Sequence, residues 1–237
     1  MYKNKLVGLG INYDVERSIF GLDNGILRVY YGSEFKSYDT VTTINYDRIK
    51  FLEKSNETIG WKDTIVKIGD VTTHKVIQEY NHHKKAITCA DKLDEHLYVT
   101  SSLDSYFYGY DERIGNRPVF QSPTAFYEIF GFNGFENYIV GGLNYGMLIM
   151  YDIRMHKYVM TRYFEPHAID QIAIYNRKIV FGGKGKSIHY VDCSNGWFGN
   201  HSMLYHHQSE ITSVLIDGDN LFSGSSDGVL YYSNYSL

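Results

Sequence analysis

The feature that most constrains this chain is a repeat with a period close to 40 residues. Six segments share one pattern: an apolar run, a small polar turn, and a second alternating run that ends in aspartate or a substitute for it. The second runs end at residues 31, 70, 111, 152, 192 and 234, so successive ends are 39, 41, 41, 40 and 42 residues apart. Alternation indicates a β-strand, and turns rich in glycine, asparagine and aspartate are typical of hairpins. The pattern therefore predicts one β-hairpin in each repeat.

A period of this length, with four short strands in each unit, is the sequence signature of a β-propeller built from WD repeats. We predict an all-β fold, a WD-repeat-type β-propeller of about six four-stranded blade units, the last incomplete. A single domain is expected over residues 1–237, with units near 4–40, 41–81, 82–123, 124–166, 167–208 and 209–237. The sixth unit shows no outer strand, and residues 1–5 look too short to supply a full closing strand.

The third and sixth units most resemble the WD-repeat family. The family unit begins with Gly-His, continues to Ser/Thr-Gly-Ser-x-Asp and ends in Trp-Asp. The residues of this sequence that match the histidine, the hydroxyl and the turn aspartate are His83, Thr100 and Asp104 in the third unit, and His207, Ser223 and Asp227 in the sixth. The resemblance implies that these three groups bond together and fix the loops of each unit. The final tryptophan is replaced by tyrosine, as at Tyr110 and Tyr151, or is lost.

Short motifs in later units resemble one subfamily, the spindle-checkpoint propellers of the budding-uninhibited-by-benzimidazole group and their mRNA-export relatives. In that subfamily the third and fourth units also end in Asp-x-Arg, here at 111–113 and 152–154, and a Tyr-Val-x-x-Arg stretch follows, here at 158–162. Two departures stand against it. The subfamily has seven blades, and an arginine that holds acidic residues of its bound peptide is replaced around Asp170 and Gln171.

The Asp-x-Arg endings also resemble those of substrate receptors for cullin-type ubiquitin ligases, in which the arginines face an adaptor. This resemblance makes Arg113 and Arg154 candidate adaptor contacts. The other interpretation is that each arginine pairs with an aspartate of its own blade, and we favour it.

Two stretches that resemble a nucleotide site and a metal site are better interpreted as structural. The stretch Gly185-Lys186-Ser187 resembles the end of a phosphate-binding loop, but Val180 stands where the first glycine is required. In the repeat register this stretch is a hairpin turn, in which glycine supplies positive φ. The histidine pairs at 82–83 and 206–207 have no cysteine or carboxylate at zinc-ligand spacing, and adjacent strand residues point to opposite faces. We therefore predict no metal and no cofactor.

Composition narrows the function class. The net charge of −4 does not favour nucleic acid as a direct partner, and no apolar run is long enough for a membrane span. The only cysteines, Cys89 and Cys193, suggest no disulfide framework and fit a reducing compartment, so we expect the nucleus or the cytoplasm.

The predicted function is binding rather than catalysis, because the repeat already accounts for the serine, histidine and aspartate residues that stand together. We expect a scaffold that binds short motifs of partner proteins, and an enzyme is the least favoured alternative. The residues predicted to line the peptide-binding face flank the hairpin turns: Trp61, Lys62, Leu103, Tyr145, Lys184 and Ser226. An aromatic residue near a lysine suits a peptide that carries acidic residues. The subfamily resemblance implies checkpoint kinases or a kinetochore scaffold as partners.

Overall fold

The computed structural model describes residues 6–12, 17–22, 27–31, 37–41, 48–52, 57–70, 72–73, 75–195 and 198–234, with the backbone alone for the strands before residue 48. These ranges contain 23 β-strands and one 3₁₀ turn. No helix in this part of the chain is long and apolar enough to cross a membrane.

The strands form six sheets, and within each sheet they pair in chain order. The first three sheets have four strands each: β1 Leu6–Asn12, β2 Arg17–Leu22, β3 Leu27–Tyr31 and β4 Ser37–Val41; β5 Arg48–Leu52, β6 Glu57–Lys62, β7 Ile65–Asp70 and β8 Lys75–Tyr80; β9 Ile87–Lys92, β10 Leu97–Ser102, β11 Phe107–Asp111 and β12 Phe120–Gln121. The last three are β13 Ile129–Phe135, β14 Tyr138–Leu143, β15 Met147–Asp152 and β16 Lys157–Tyr163; β17 Ile169–Tyr175, β18 Lys178–Gly183, β19 Ser187–Asp192 and β20 His201–His206; β21 Ile211–Asp217, β22 Asn220–Ser225 and β23 Leu230–Asn234.

The six predicted hairpins are confirmed. Each repeat supplies the second and third strands of one sheet, and the third strands end at the six predicted positions. The sixth sheet has three strands within the described residues, in agreement with a last unit that is incomplete. The turn of the first hairpin, residues 23–26, and the expectation about residues 1–5 lie outside the described residues.

Chain contacts divide the protein into two compact units. Unit 1 comprises Met1–Thr100 and Tyr108–Val119, and unit 2 comprises Ser101–Phe107 and Phe120–Leu237. In unit 1, β1 packs against β5, and β6 against β9. In unit 2, β13 packs against β17, and β17 against β21. The expectation of one domain stays a prediction.

The core of unit 2 lies between consecutive sheets. The inner strands β14, β15 and β18 are buried at five of six positions each, as expected for strands that are covered on both faces. One apolar cluster includes Val140, Leu148 and Phe181, which are all fully buried. The sheets approach so closely that a Cβ on Gly142 would lie 2.3 Å from the carbonyl oxygen of Ile169. Glycine is therefore required at this crossing.

Candidate protein-interaction surface

The predicted binding residues of unit 2 lie on equivalent turns. We define the turn surface as the turns between the second and third strands of the third to sixth sheets, residues 103–106, 144–146, 184–186 and 226–229, together with the loops at 123–128, 164–168 and 207–210 that precede a first strand. Backbone hydrogen bonds hold these segments together. Asn144 N–H donates to Glu128 O at 3.2 Å, and Lys184 N–H donates to Ala168 O at 3.1 Å. The turns are therefore fixed side by side rather than loose.

The fifth-sheet turn corrects one detail of the sequence prediction. Gly183 ends β18 and Ser187 begins β19, so the stretch is a hairpin turn as predicted. The residue with positive φ, however, is Lys186 at 65°, not Gly185. Gly185 instead lies directly against a side chain: a Cβ on it would lie 1.9 Å from Glu165 Oε2 and would have to displace that buried carboxylate.

An exposed aromatic cluster covers the fourth-sheet part of the turn surface. Tyr145, which the sequence analysis selected, is 56% exposed and has φ of 58°. Its ring meets Tyr127 edge-on, with 5.2 Å between ring centroids, and the neighbouring Phe126 is 74% exposed. We call Phe126, Tyr127 and Tyr145 the aromatic cluster. The sequence analysis missed Phe126 and Tyr127, although the repeat register places their loop at the same end of the sheet as the turns.

Lys184 and Ser226 lie on neighbouring turns, and Glu210 contacts both of them. The Lys184 ammonium forms an ion pair with the Glu210 carboxylate, and both side chains are about half exposed. The Glu210 carbonyl accepts a hydrogen bond from Ser226 N–H at 2.9 Å. Leu103 lies on the third-sheet turn and is partly buried. In that turn, Ser105 O accepts a hydrogen bond from Ala125 N–H at 2.8 Å, which ties it to the loop of the aromatic cluster.

Trp61 and Lys62 lie at the end of β6 in unit 1. Trp61 is only 6% exposed, which corrects the expectation of an exposed indole. Its position one residue before the strand end is still covered by neighbouring residues, so the ring packs in the core of unit 1. Lys62 is partly exposed, and the Asp63 carbonyl in the same turn accepts a hydrogen bond from Ile87 N–H at 2.6 Å.

In the sixth sheet, polar side chains form a continuous network. His207 Nε2 lies 2.6 Å from Ser223 Oγ, and His207 Nδ1 lies 3.0 Å from Ser225 Oγ. Ser225 Oγ donates to Asp227 Oδ1 at 2.5 Å, so Ser225 connects the histidine to the turn aspartate. Burial lowers the pKa of His207, against the opposing effect of the Asp227 charge. The Tyr231 ring packs against the imidazole at 4.6 Å.

The third sheet repeats part of this arrangement. Within unit 1, His83 Nε2 lies 2.7 Å from Thr100 Oγ1, and the Tyr108 ring meets the imidazole edge-on at 4.8 Å. Within unit 2, Asp104 Oδ1 accepts a hydrogen bond from Tyr106 N–H at 3.2 Å and shapes the turn.

The fifth sheet places different chemistry at the same positions. Glu165 precedes the first strand where the third and sixth sheets have histidine, and it is buried beside Gly146 and Gly185. Glu165 Oε2 lies 3.5 Å from His189 Nε2, and His189 Nδ1 lies 2.9 Å from Nε2 of the exposed His201. These three residues form a Glu–His–His cluster that leads from the buried carboxylate to the surface. No motif in the sequence marks it, because its members lie on three separate elements.

The Asp-x-Arg arginines lie at the ends of third strands, away from the turn surface. Arg113 forms two hydrogen bonds with the Asp111 carboxylate, at 2.6 and 2.9 Å, and Arg154 pairs with Asp152 at 3.0 Å. The Arg113 guanidinium lowers the pKa of Asp111 to about 2. Each arginine thus pairs with an aspartate of its own blade, the interpretation favoured from sequence, while both guanidinium groups stay more than half exposed.

The structure assigns other partners to the residues that suggested metal or thiol chemistry. In the part of the chain that is described, no three histidine, cysteine, aspartate or glutamate side chains are placed so that they could hold a metal ion together. His206 Nδ1 lies 2.9 Å from Ser187 Oγ. Burial, assisted by the Asp192 charge, raises the pKa of the Cys193 thiol to about 12, and Cys89 is partly buried.

Comparison with known proteins identifies the fold. No protein-family model matches the chain, and no curated protein matches it in sequence. The crystal structure of the WD40 β-propeller domain of Doa1 matches with a TM-score of 0.80 and 14% identity, over 100% of this chain and 81% of that one. The computationally designed Ika8 protein matches with a TM-score of 0.79 and 18% identity, over 98% of this chain and 72% of that one. The chain therefore has a WD40-type β-propeller fold.

Proposed function

We propose that this protein is a non-catalytic scaffold that binds short peptide motifs of partner proteins at the turn surface. The observation that carries the proposal is the aromatic cluster, in which the exposed Tyr127 and Tyr145 rings meet edge-on and the next residue in sequence, Phe126, is also exposed, on backbone that is held by hydrogen bonds. Single exposed apolar residues are common, but a contiguous apolar patch marks an interaction site. Tyrosine in particular is enriched among the residues that dominate interface energies.

Two lysines near the cluster favour a peptide that carries acidic residues. Lys186 is exposed on the fifth-sheet turn, and Lys184 on the same turn is held by Glu210. A carboxylate of the ligand would pair with Lys186 directly and would compete with Glu210 for Lys184. The rings would then supply affinity and the lysines would orient the peptide.

The serine–histidine contacts support binding rather than catalysis. Ser223 is 1% exposed and Ser187 is 6% exposed, so neither hydroxyl can reach a substrate carbonyl from its present position. A nucleophile needs both a base and access to the substrate. In these pairs the serine has a histidine beside it that could act as a base, but a substrate has no access to the hydroxyl. This arrangement indicates a structural role.

The partner complex that we propose is of the spindle-checkpoint type, in the nucleus or the cytoplasm, on the strength of the sequence resemblance. The second candidate is a receptor for a cullin-type ligase. It is favoured by one observation: the Arg113 and Arg154 side chains stay more than half exposed although each is paired with an aspartate. The two candidates use different ends of the sheets, so they can be separated by mutation.

The test is affinity purification from the native cell followed by mass spectrometry, with the unmodified protein and three variants. The double variant Tyr127→Ala, Tyr145→Ala should lose its partners. Tyr175→Ala is the matched control, since Tyr175 is also exposed but lies at the opposite end of its strand from the turn surface. Checkpoint kinases or a kinetochore scaffold among the lost partners would support the first candidate. A cullin adaptor that is lost only with Arg113→Ala and Arg154→Ala would support the second, and partners retained by the tyrosine variant would refute the turn surface.

A further inference from the structure

The third strand of the sixth sheet is exposed in a way that other third strands are not. In the second to fifth sheets, every residue of β7, β11, β15 and β19 is buried or partly buried. In β23, by contrast, Leu230 is 69% exposed, Tyr231 42% and Tyr232 58%. Within the described residues, β23 pairs only with β22, so its other edge presents backbone N–H and C=O groups that have no strand beside them.

This edge lacks the features that protect three of the outer strands of the same molecule. The outer strands β8, β16 and β20 each pair through a register shift, and β8 and β16 carry lysine or arginine. The pairing of β22 with β23 runs without a shift from Asn220 opposite Asn234 to Gly224 opposite Leu230. The sequence of β23, LYYSN, contains no charged residue and no proline. Bulges, charges and proline are the usual means of preventing an edge from pairing, and β23 has none of them. Strand β23 therefore has the sequence of a strand that is paired on both sides, although it lies at the edge of its sheet.

The charges around β23 indicate the chemistry of an occupant. The chain has no lysine or arginine after Lys186, whereas Glu210, Asp217, Asp219 and Asp227 surround the sixth sheet. Asp227 lies just before β23, and Asp217 and Asp219 lie near its end, because Asn220 pairs with Asn234. The chain's own outer strands show that basic ends fit such a position: Lys157 of β16 lies opposite Asp152 of β15.

We propose that the open edge of β23 is a second interaction site, which pairs with an extended apolar strand of a partner protein that carries basic residues at both ends. Main-chain hydrogen bonds to the edge give affinity, and alternate side chains over Leu230 and Tyr232 give specificity. The site is separate from the turn surface and does not depend on the function proposed there.

The test is fluorescence anisotropy with the full chain and a fluorescein-labelled peptide of alternating threonine and valine, with two lysines at each end. Two control peptides have glutamates in place of the lysines, or a central proline in place of one threonine. The lysine peptide should bind, and each control should bind at least about tenfold more weakly. Leu230→Lys should weaken binding of the lysine peptide at least about tenfold, whereas Leu215→Lys should change it less than about twofold. Leu215 is a matched control because it is 58% exposed and lies on β21, the far strand of the same sheet.

Five outcomes would overturn the proposal. Anisotropy that rises with none of the peptides, or equally with the proline peptide, would show that the edge does not pair. Equal effects of Leu230→Lys and Leu215→Lys would place any binding elsewhere. A dimer in solution that Leu230→Lys dissociates would assign the edge to a second copy of this chain. Binding that appears only after removal of residues 1–5 would assign the edge to the chain's own N-terminal segment.

Discussion

The fifth and sixth sheets hold different chemistry at equivalent positions of the repeat. In the sixth sheet, His207, Ser223 and Tyr231 form part of a network in which each polar group meets another. In the fifth sheet the equivalent residues are Glu165, Phe181 and His189. The backbone hairpins of the two sheets are nevertheless alike. Since the strands form with either set of side chains, the polar network is not required for the hairpin.

The residues of the two sheets differ in how many of their buried polar groups have hydrogen-bond partners. Glu165 Oε1 and His189 Nε2 are buried without a hydrogen-bond partner among the described residues, and the Glu165–His189 contact is 3.5 Å long. A buried group left unpaired costs about 1–3 kcal/mol, and more when it is charged. The comparison teaches that the sixth sheet uses its polar residues to stabilise a turn, whereas the fifth packs two turns around a buried carboxylate.

The largest effect is expected where a turn packs on Glu165. Gly146 has φ of +67°, and a Cβ there would lie 1.5 Å from the Glu165 carbonyl oxygen. We expect Gly146→Ala to lower the free energy of unfolding by about 3 kcal/mol or more, because backbone strain and overlap act together. Gly228 of the sixth-sheet turn has φ of +83° but open space around it, so Gly228→Ala should cost about 1–2 kcal/mol. Denaturant unfolding measures both, and equal losses would contradict the role given to Glu165.

A smaller loss is expected when the sixth-sheet network is interrupted. Ser223 is fully buried between His207 and Tyr205, so Ser223→Ala leaves two polar groups without this partner. The free energy of unfolding should fall by about 1–3 kcal/mol. Ser226→Ala, in the exposed part of the same turn, should change it by less than about 0.5 kcal/mol. Indistinguishable unfolding curves for the two variants would show that the network does not stabilise the sheet.

The pH dependence of the free energy of unfolding should separate the contribution of the histidines from that of the carboxylates. The pKa of His207 is lowered by burial, and that of His201 by burial and by the nearby His189 and Arg162 charges. Between the unfolded histidine pKa of about 6.5 and these lower folded values, the unfolded state binds more protons. Stability should therefore fall as the pH decreases below about 6.5.

Thermal unfolding midpoints measured from about pH 7.5 to about pH 5 test this expectation. His201→Gln and His207→Gln should each reduce the change of the midpoint with pH. The ratio of the two reductions compares the fifth sheet with the sixth. Asp152 and Asp192 also have lowered pKa values, held down by Arg154 and Ser194, but their contribution is lost only below about pH 4. A midpoint that stays constant down to about pH 5 would contradict the histidine assignment.

The smallest effect is expected from nucleotide added to the fifth-sheet turn. Strand β19 follows the Gly185-Lys186-Ser187 stretch, and Ser187 is buried. A phosphate-binding loop needs a helix there and an accessible hydroxyl. Isothermal titration with ATP and magnesium should give no binding heat, and micromolar binding that Lys186→Ala abolishes would reverse this interpretation.

The sequence alone predicted the six hairpins and their ends because strand alternation and turn chemistry are local properties. It also selected His83, Thr100, His207 and Ser223, since they belong to a motif with regular spacing. It did not predict that Trp61 is buried, because burial depends on the residues that cover the strand end and not on the strand itself. It missed Tyr127 beside Tyr145 because these residues meet only when a loop folds against a turn.

Local sequence determined the hairpin of each repeat and the residue at which its second strand ends, because backbone preference and side-chain alternation act over a few residues. Only the tertiary structure decided that Glu165, His189 and His201 form a chain from the core to the surface. It likewise decided that Gly185, which has no positive φ, lies against a carboxylate 20 positions earlier in the sequence. Such contacts depend on how neighbouring sheets pack, and no short segment of the chain carries that information.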